Sequence, residues 1–178
     1  GWFAFALPLY ALFGDVKIAS YASLIFSLII IAIGIFFISR NMKLRKSDFL
    51  GFFIFFTGNA IAIGNFIRLM RFHEMFAWGM FVLSSTFILY YKEREMDKKF
   101  LITSVFLALT LVSYLAVGIF AIILLFSLFL YKKNLRDKLI IALTLLIALL
   151  LSSFWLIPLL TNSAGGSVVF DRFSEWLL

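Results

Sequence analysis

The chain has 178 residues, of which 64% are hydrophobic and only 14% are charged, whereas a soluble domain is about half apolar and a quarter charged. A chain this apolar could not cover its surface with polar groups in water, so the composition excludes a soluble domain and predicts an integral membrane protein. The formal net charge of +7 would suggest nucleic-acid binding in a soluble protein, but here the basic residues separate hydrophobic runs. We therefore assign them to membrane orientation, and expect membrane lipids and no nucleic acid as partners.

The two ends of the chain indicate how much of a protein this sequence represents. It begins with Gly1 rather than Met and enters hydrophobic sequence at once, without the basic region and small-residue cleavage site of a signal peptide. It ends at EWLL, within an amphipathic stretch. Its length needs only one helical membrane unit. We therefore expect residues 1–178 to form a single transmembrane domain that belongs to a longer chain.

Long apolar runs predict an all-α fold, a polytopic bundle of transmembrane helices. A helix needs roughly 20 apolar residues to cross ~30 Å of hydrocarbon. Trp2–Phe13 is too short to cross alone, and Gly14 and Asp15 end it. The longer runs that we expect in the membrane are Ile18–Ser39, Phe49–Ile67, Met75–Tyr91, Phe100–Tyr131 and Leu139–Leu160, with a Gly/Ser-containing tail after the last. We expect about six membrane segments, including a short hairpin.

The run Phe100–Tyr131 is too long for one comfortable helix, and the charges around it decide its path. Loops 40–48, 92–99 and 132–138 carry four basic residues each, and cytoplasmic loops carry the Lys/Arg excess of membrane proteins. If Phe100–Tyr131 crossed once, loop 132–138 would lie outside. We therefore predict a bend near Ser113–Gly118 that makes a hairpin of this run, either as two short passes or as a re-entrant pair. The protein would then lie in the cell membrane, with several passes and all three basic loops in the cytoplasm.

The stretch RLMRFHEMFAWG, from Arg68 to Gly79, then faces the outside, where basic residues work against the orientation rule. Arg71 and Glu74 are three apart and would form a local ion pair on a helix. An exposed pair of this kind contributes less than ~1 kcal/mol, which is too little to explain its presence. Two interpretations stay open: a loop whose charges snorkel to the lipid headgroups, and an edge that binds phosphate or sugar.

The second interpretation predicts a set of substrate-binding residues. Asn65 and Arg68 share one helix face and would line a cavity that opens outward, with Arg71 and Glu74 at its edge. The small residues around Asn65 favour its other interpretation, an amide that joins packed helices. His73 is the only histidine and the chain has no cysteine, so we expect no metal site. Aromatic residues are expected at the outer membrane interface. Those near the predicted outer boundaries are Trp78, Tyr114, Trp155 and Trp176.

Motifs of other functional classes are missing from the sequence. It contains no phosphate-binding loop, dinucleotide fingerprint or zinc-protease motif. The predicted passes hold no run of acidic residues, which argues against an ion pump with a carboxylate relay.

Four segments resemble a known membrane family. ALPLYALFGDVKIASYASLIFSL is similar to the segment after the first outer loop of GT-C-type polytopic glycosyltransferases, and closer still to the prokaryotic membrane proteins described as 6-pyruvoyl-tetrahydropterin synthase related. RFHEMFAWGMFVLSSTFILYYKE resembles that family's outer-loop segment, LTLVSYLAVGIFAIILLFSLFLY its hairpin and SSFWLIPLL its Trp-and-Pro helix end. Tyr114 departs from the hairpin pattern, in which a histidine usually follows the serine.

The resemblance implies a GT-C-like bundle and a lipid-linked sugar transferase, or a relative of one, without pterin chemistry. Such enzymes carry an acidic general base or metal ligand in the first outer loop, which would lie before Gly1, and accept a polyprenyl-phosphate donor in an outward cavity. Arg71 and Glu74 match the family's outer-loop pattern, which implies Arg71 as the phosphate ligand and Glu74 as its positioning partner. Whether the chain belongs to an enzyme stays open, because a non-catalytic transporter or scaffold subunit fits the same fold. The cofactor is unknown.

Overall fold

The computed structural model describes residues 2–58 and 72–164. Every regular element within these residues is helical, which confirms the all-α fold. The elements in chain order are α1 (Trp2–Phe13), α2 (Val16–Asn41), α3 (Lys46–Gly58), α4 (Phe72–Tyr91), a 3₁₀ helix (Lys98–Ile102), α5 (Thr103–Ser113), α6 (Leu115–Tyr131) and α7 (Leu135–Ala164). The predicted pass Phe49–Ile67 is therefore described as far as Gly58, and its second half lies outside the described residues.

Three of the described helices are long and apolar enough to cross a membrane: α2, α4 and the part of α7 from Leu135 to Pro158. Their mean hydropathy is 2.7, 1.3 and 2.7, respectively, and α6 is apolar but shorter. α4 is the least hydropathic of the three spans and also the most buried. It packs against α2, α5 and α6. α4 is therefore the central helix of the described bundle, and its hydroxyl residues Ser84, Ser85 and Thr86 are buried in the protein.

A tight turn joins α1 to α2 where the Gly14–Asp15 pair predicts it. Gly14 has a positive φ of 69° and donates its N–H to the Tyr10 carbonyl at 2.8 Å, a helix end that glycine adopts at low cost. The Asp15 carboxylate then accepts the N–H groups of Lys17 and Ile18 at 2.6 and 3.1 Å. This N-cap starts α2 immediately after α1 ends, so the two helices pack against each other.

α2 and α4 pack closely because each has a glycine at the interface. A Cβ on Gly34 of α2 would lie 2.5 Å from Val82 Cγ1, and a Cβ on Gly79 of α4 would lie 3.3 Å from Ile30 Cγ2. The close approach lets Thr86 Oγ1 donate to the Gly34 carbonyl at 3.2 Å. Small residues and hydroxyl groups of this kind are typical of helix pairs in membranes.

The hairpin predicted within Phe100–Tyr131 is confirmed. A single residue, Tyr114, separates α5 from α6, and its backbone is extended at φ −157° and ψ 108°. The two helices then pack so closely that a Cβ on Gly118 would lie 3.0 Å from Leu111 Cα. α5 has 11 residues, which is only about 17 Å of helix, and the 3₁₀ helix before it lengthens this arm of the hairpin.

The hairpin returns the chain to the end of the bundle from which it started. Lys132 Nζ, after α6, donates to the carbonyl of Arg94, after α4. The carboxylate of Asp137, in the first turn of α7, accepts the Met96 N–H at 3.2 Å. The two basic loops are therefore in direct contact, as the charge pattern predicts. The basic loop after α2 lies across a cavity from the loop after α4.

The last helix is longer than predicted. α7 runs from Leu135 to Ala164 rather than from Leu139 to Leu160, and Pro158 lies inside it rather than at its end. Thr161 Oγ1 donates to the Ile157 carbonyl at 2.9 Å. The polar residues after position 160 therefore extend the helix instead of starting a loop, because threonine, asparagine and serine weaken a helix without ending it.

Candidate functional site

The first turn of α4 holds the candidate residues that the structure describes. Phe72 and Met75 pack in the hydrophobic cluster shared with α2, with 8% and 0% of their surface exposed. This packing sets the rotation of the helix, so that His73 is exposed and Glu74 is half-buried. Glu74 lies in the first helical turn, where a carboxylate interacts favourably with the helix dipole.

This end of α4 is far from the basic loops. α4 has 20 residues, about 30 Å of helix, which matches the thickness of the hydrocarbon layer. Its other end, at Tyr91, leads directly into the second basic loop. In a membrane that encloses the bundle, His73 and Glu74 therefore lie near one surface and the basic loops near the other.

The tip of the α5–α6 hairpin reaches the same end as the start of α4. The rings of His73 and Tyr114 lie edge to face, with centroids 6.1 Å apart and planes at 65°. Ser113 is buried, and its Oγ has no hydrogen-bond partner in the part of the chain that the structure describes. The start of α4 and the hairpin tip thus carry a carboxylate, an imidazole, a phenol and a hydroxyl. Together these groups can donate to and accept from sugar hydroxyls and phosphate oxygens.

The structure describes one of the four predicted binding residues, Glu74. Asn65, Arg68 and Arg71 lie in the segment 59–71, outside the described residues, so their contacts stay predictions. Across residues 2–58 and 72–164, no group of three or more His, Asp or Glu side chains is arranged to hold a metal ion.

The contact between His73 and Tyr114 was not predicted from the sequence, which assigned Tyr114 only to the membrane interface. The available signal was topological, because the hairpin bend and the start of α4 were both predicted on the side away from the basic loops. Topology places two residues at one surface. Which of them touch depends on how far each helix is rotated about its axis.

A second feature without a sequence prediction lies at the basic end. An open cavity of about 710 Å³ is lined by the ends of α2 and α4 and by the loop that follows α4. Its lining combines aromatic side chains with Arg40, Lys43, Arg94 and Lys99. This cavity therefore lies away from the candidate site, on the side that the charge pattern assigns to the cytoplasm.

Comparisons with known proteins identify the family. Residues 1–177 match the family model described as the 6-pyruvoyl-tetrahydropterin synthase related domain, a membrane protein. No curated protein and no solved structure matches the chain. Because the match extends over nearly the whole sequence and agrees with the apolar helices, the chain belongs to the 6-pyruvoyl-tetrahydropterin synthase related family of membrane proteins.

Proposed function

We propose that the chain is part of an integral membrane protein of the glycosyltransferase type, which takes a polyprenyl-phosphate-linked sugar donor at the outer face of the cell membrane. The observation that carries this proposal is the half-buried Glu74 beside the His73–Tyr114 contact, about 30 Å from the basic loops. The resemblance of the segment ALPLYALFGDVKIASYASLIFSL to GT-C-type enzymes supports it. Hydrogen-bonding side chains at a membrane surface fit a donor whose polyprenyl tail stays in the bilayer while its phosphate and sugar reach the headgroup region.

The proposal assigns the three basic loops to the cytoplasm. The chain has no cysteine, so single cysteines report the side of each loop directly. We expect Ser47→Cys, Glu95→Cys and Asn134→Cys to resist a membrane-impermeant maleimide in intact cells, and Lys17→Cys to react. The reverse pattern would invert the orientation and move the proposed site to the cytoplasmic face.

The roles of the site residues follow from their chemistry. Arg71 directly precedes Phe72 in the chain, and a guanidinium matches a phosphate with two parallel N–H donors. Glu74, one turn further on, positions that guanidinium. Arg68 adds positive potential, and Asn65 lines the same opening. Tyr114, at the hairpin tip, supplies a hydroxyl group for the sugar.

The test uses a photoreactive polyprenyl phosphate and the full-length protein in nanodiscs. Arg71→Gln is expected to reduce specific crosslinking roughly tenfold or more, because a hydrogen bond to a charged group is worth about 1.5–3 kcal/mol. Arg71→Lys should recover part of the binding, since an ammonium lacks the planar fork. Arg68→Gln should do less, and His73→Asn should be nearly silent if the histidine only caps the turn and does not bind the donor. Lys17→Gln is the matched control, because it removes the same charge at the same end of the bundle without touching the site.

Binding and transfer are then measured separately. The transferase would be supported if the unaltered protein transfers sugar from a polyprenyl-phosphate hexose to an acceptor and Arg71→Gln loses both this transfer and the crosslinking. Equal crosslinking in Arg71→Gln, Lys17→Gln and the unaltered protein would show that these charges only interact with headgroups. Donor binding without any transfer would favour a transporter or scaffold subunit over an enzyme.

A further inference from the structure

We propose that the cavity at the basic end binds the phosphate of an anionic phospholipid. Its volume of about 710 Å³ falls in the range of pockets that enclose small organic ligands. It lies at the opposite end of α4 from Glu74, so it is a second site that does not depend on the proposed donor-binding edge.

One wall of the cavity is apolar. Phe37 of α2 and Leu83 and Phe87 of α4 line it, within about two turns of the ends of their helices. Phe37 is 43% exposed, so the wall is open to the surroundings of the bundle. An acyl chain can pack against this surface, whereas a soluble anion would gain nothing from it.

The rim of the cavity is basic, with Arg40, Lys43, Arg94 and Lys99 in its lining. Within the described residues, no carboxylate lies within ion-pair distance of Arg40, Lys43 or Lys99. Arg94 lies 4.1 Å from the centre of the Tyr90 ring and donates to the Tyr90 hydroxyl at 2.7 Å. Aromatic and hydroxyl contacts hold this guanidinium in place without neutralising it.

The acidic side chain in the lining, Asp97, is engaged by other groups. Its carboxylate accepts the Tyr91 hydroxyl at 2.5 Å and the Lys99 backbone N–H at 2.9 Å. The hydrogen bond from Tyr91, ahead of the one from Lys99, holds the pKa of Asp97 below its usual range. Four cationic side chains and one carboxylate leave the lining with a net charge of +3, which calls for an anion.

Lys43 stands at a backbone position that usually belongs to glycine. Its φ is +55°, in the left-handed region. The Leu44 N–H donates to the Ser39 carbonyl at 2.9 Å. This is the hydrogen bond of a Schellman motif, a helix end at which glycine usually takes the left-handed position. A side chain is disfavoured there relative to glycine, so Lys43 places a cation on the cavity rim at a cost to the backbone.

A phosphate attached to acyl chains matches the basic rim and the apolar wall at the same time. Guanidinium and ammonium groups form strong charge-assisted hydrogen bonds with phosphate oxygens. Basic pockets between membrane helices on the cytoplasmic side bind anionic lipid headgroups. A free phosphate would use the rim alone, and a zwitterionic lipid would bring its own cation against the basic side chains.

The experiment counts lipids retained by the full-length protein in neutral detergent, using native mass spectrometry with dioleoyl phosphatidylglycerol and dioleoyl phosphatidylcholine. We expect one phosphatidylglycerol to be retained about tenfold more tightly than phosphatidylcholine. Arg40→Gln combined with Lys43→Gly should abolish this preference. The matched control, Arg45→Gln with Lys46→Gln, removes two charges from the same loop outside the cavity and should keep it. Lys43→Gly alone relieves the left-handed backbone, so it should fold at least as well as the unaltered protein while binding phosphatidylglycerol more weakly.

Three outcomes would overturn the proposal. Equal loss of preference in the two double variants would mean that the whole loop attracts anions and the cavity has no part. If Lys43→Gly is folded, as verified by thermal unfolding, and retains phosphatidylglycerol as tightly as the unaltered protein, the basic rim does not bind the lipid. Displacement of the lipid by sn-glycerol 3-phosphate at the same concentration would show that the apolar wall contributes nothing and that the ligand is a soluble phosphate.

Discussion

The two ends of this helical bundle use their polar residues in different ways. At the basic end, Lys132 and Asp137 are buried in an ion pair at 3.5 Å, with 9% and 6% of their side chains exposed, and join the loops that follow α4 and α6. At the other end, the described contact between α4 and the hairpin tip is the ring contact of His73 with Tyr114. Buried polar groups at the basic end therefore help to hold the fold together, whereas Phe72 and Met75 at the other end pack in an apolar cluster with α2.

The basic end itself contains two kinds of charge. Lys132 is buried and bonded to the Arg94 carbonyl, whereas Arg40 and Lys43 are exposed on the cavity rim. An exposed charge contributes little to stability, and a buried charge whose partner is removed is costly. Substitutions at the first kind should lower stability, and substitutions at the second should change binding.

The largest expected effect is on the buried pair. Asp137→Asn removes the partner of Lys132 and should lower the free energy of unfolding by about 3 kcal/mol, because the ammonium stays buried without its counter-charge. Thermal unfolding of the purified protein, followed by intrinsic fluorescence, measures this. The control is Asp48→Asn, an exposed carboxylate that accepts the Arg45 N–H at 3.0 Å; it should cost less than about 1 kcal/mol. Equal losses in the two variants would mean that the Lys132–Asp137 pair does not hold the loops together.

A smaller effect is expected where the hairpin arms touch. A Cβ on Gly118 would lie 2.5 Å from Leu111 Cδ2 and 3.0 Å from its Cα, so Gly118→Ala must push α5 and α6 apart. We expect a loss of about 2 kcal/mol in unfolding free energy. Gly51→Ala is the matched helix control, because a Cβ there meets nothing within 4 Å; it should stabilise the protein by about 0.5–1 kcal/mol. Stabilisation in both variants would show that the arms are not in close contact.

The smallest effect concerns pH at the basic end. The Tyr91 hydroxyl lowers the pKa of Asp97 below its usual value of 3.8, so ionised Asp97 stabilises the fold above that pH. This contribution is lost as the pH falls below 3.8 towards the lowered pKa. Tyr91→Phe should lower stability at neutral pH and lose less of it on acidification, measured by unfolding temperature against pH. Tyr90→Phe, which leaves Asp97 untouched, should keep the steeper acid loss; a difference in the opposite direction would contradict the assignment.

The predictions that were confirmed depend on patterns along the sequence rather than on how the helices pack. The apolar run Trp2–Phe13 forms α1 and ends at Gly14 and Asp15, as the sequence predicts. A left-handed glycine and an Asp N-cap act within one helical turn, so the sequence alone shows them. The hairpin break at Tyr114 followed from the length of its apolar run and from counting basic residues in the loops. The ends of α7 were missed by four residues on each side, since polar residues at a helix terminus neither require nor forbid another turn.

The candidate site was predictable only in part. Glu74 lies where the sequence places it, in the first turn of the helix that enters the membrane. Its neighbourhood was not predictable, because Tyr114 is 40 residues further along the chain. The cavity at the basic end was missed for the same reason: its lining comes from the ends of α2 and α4 and the loop after α4.

The sequence by itself determined that this is an all-helical membrane protein, where its chain turns, and which loops share a side. Those properties depend on hydrophobicity summed over about 20 residues and on the placement of Lys and Arg. The tertiary structure alone decided that α4 is central, that His73 meets Tyr114 and that a basic cavity opens at the far end. These features depend on the rotation and spacing of helices, which are set by contacts between distant residues such as Gly34 with Val82. Helices with similar apolar composition can pack in many rotations, and only side-chain complementarity selects one of them.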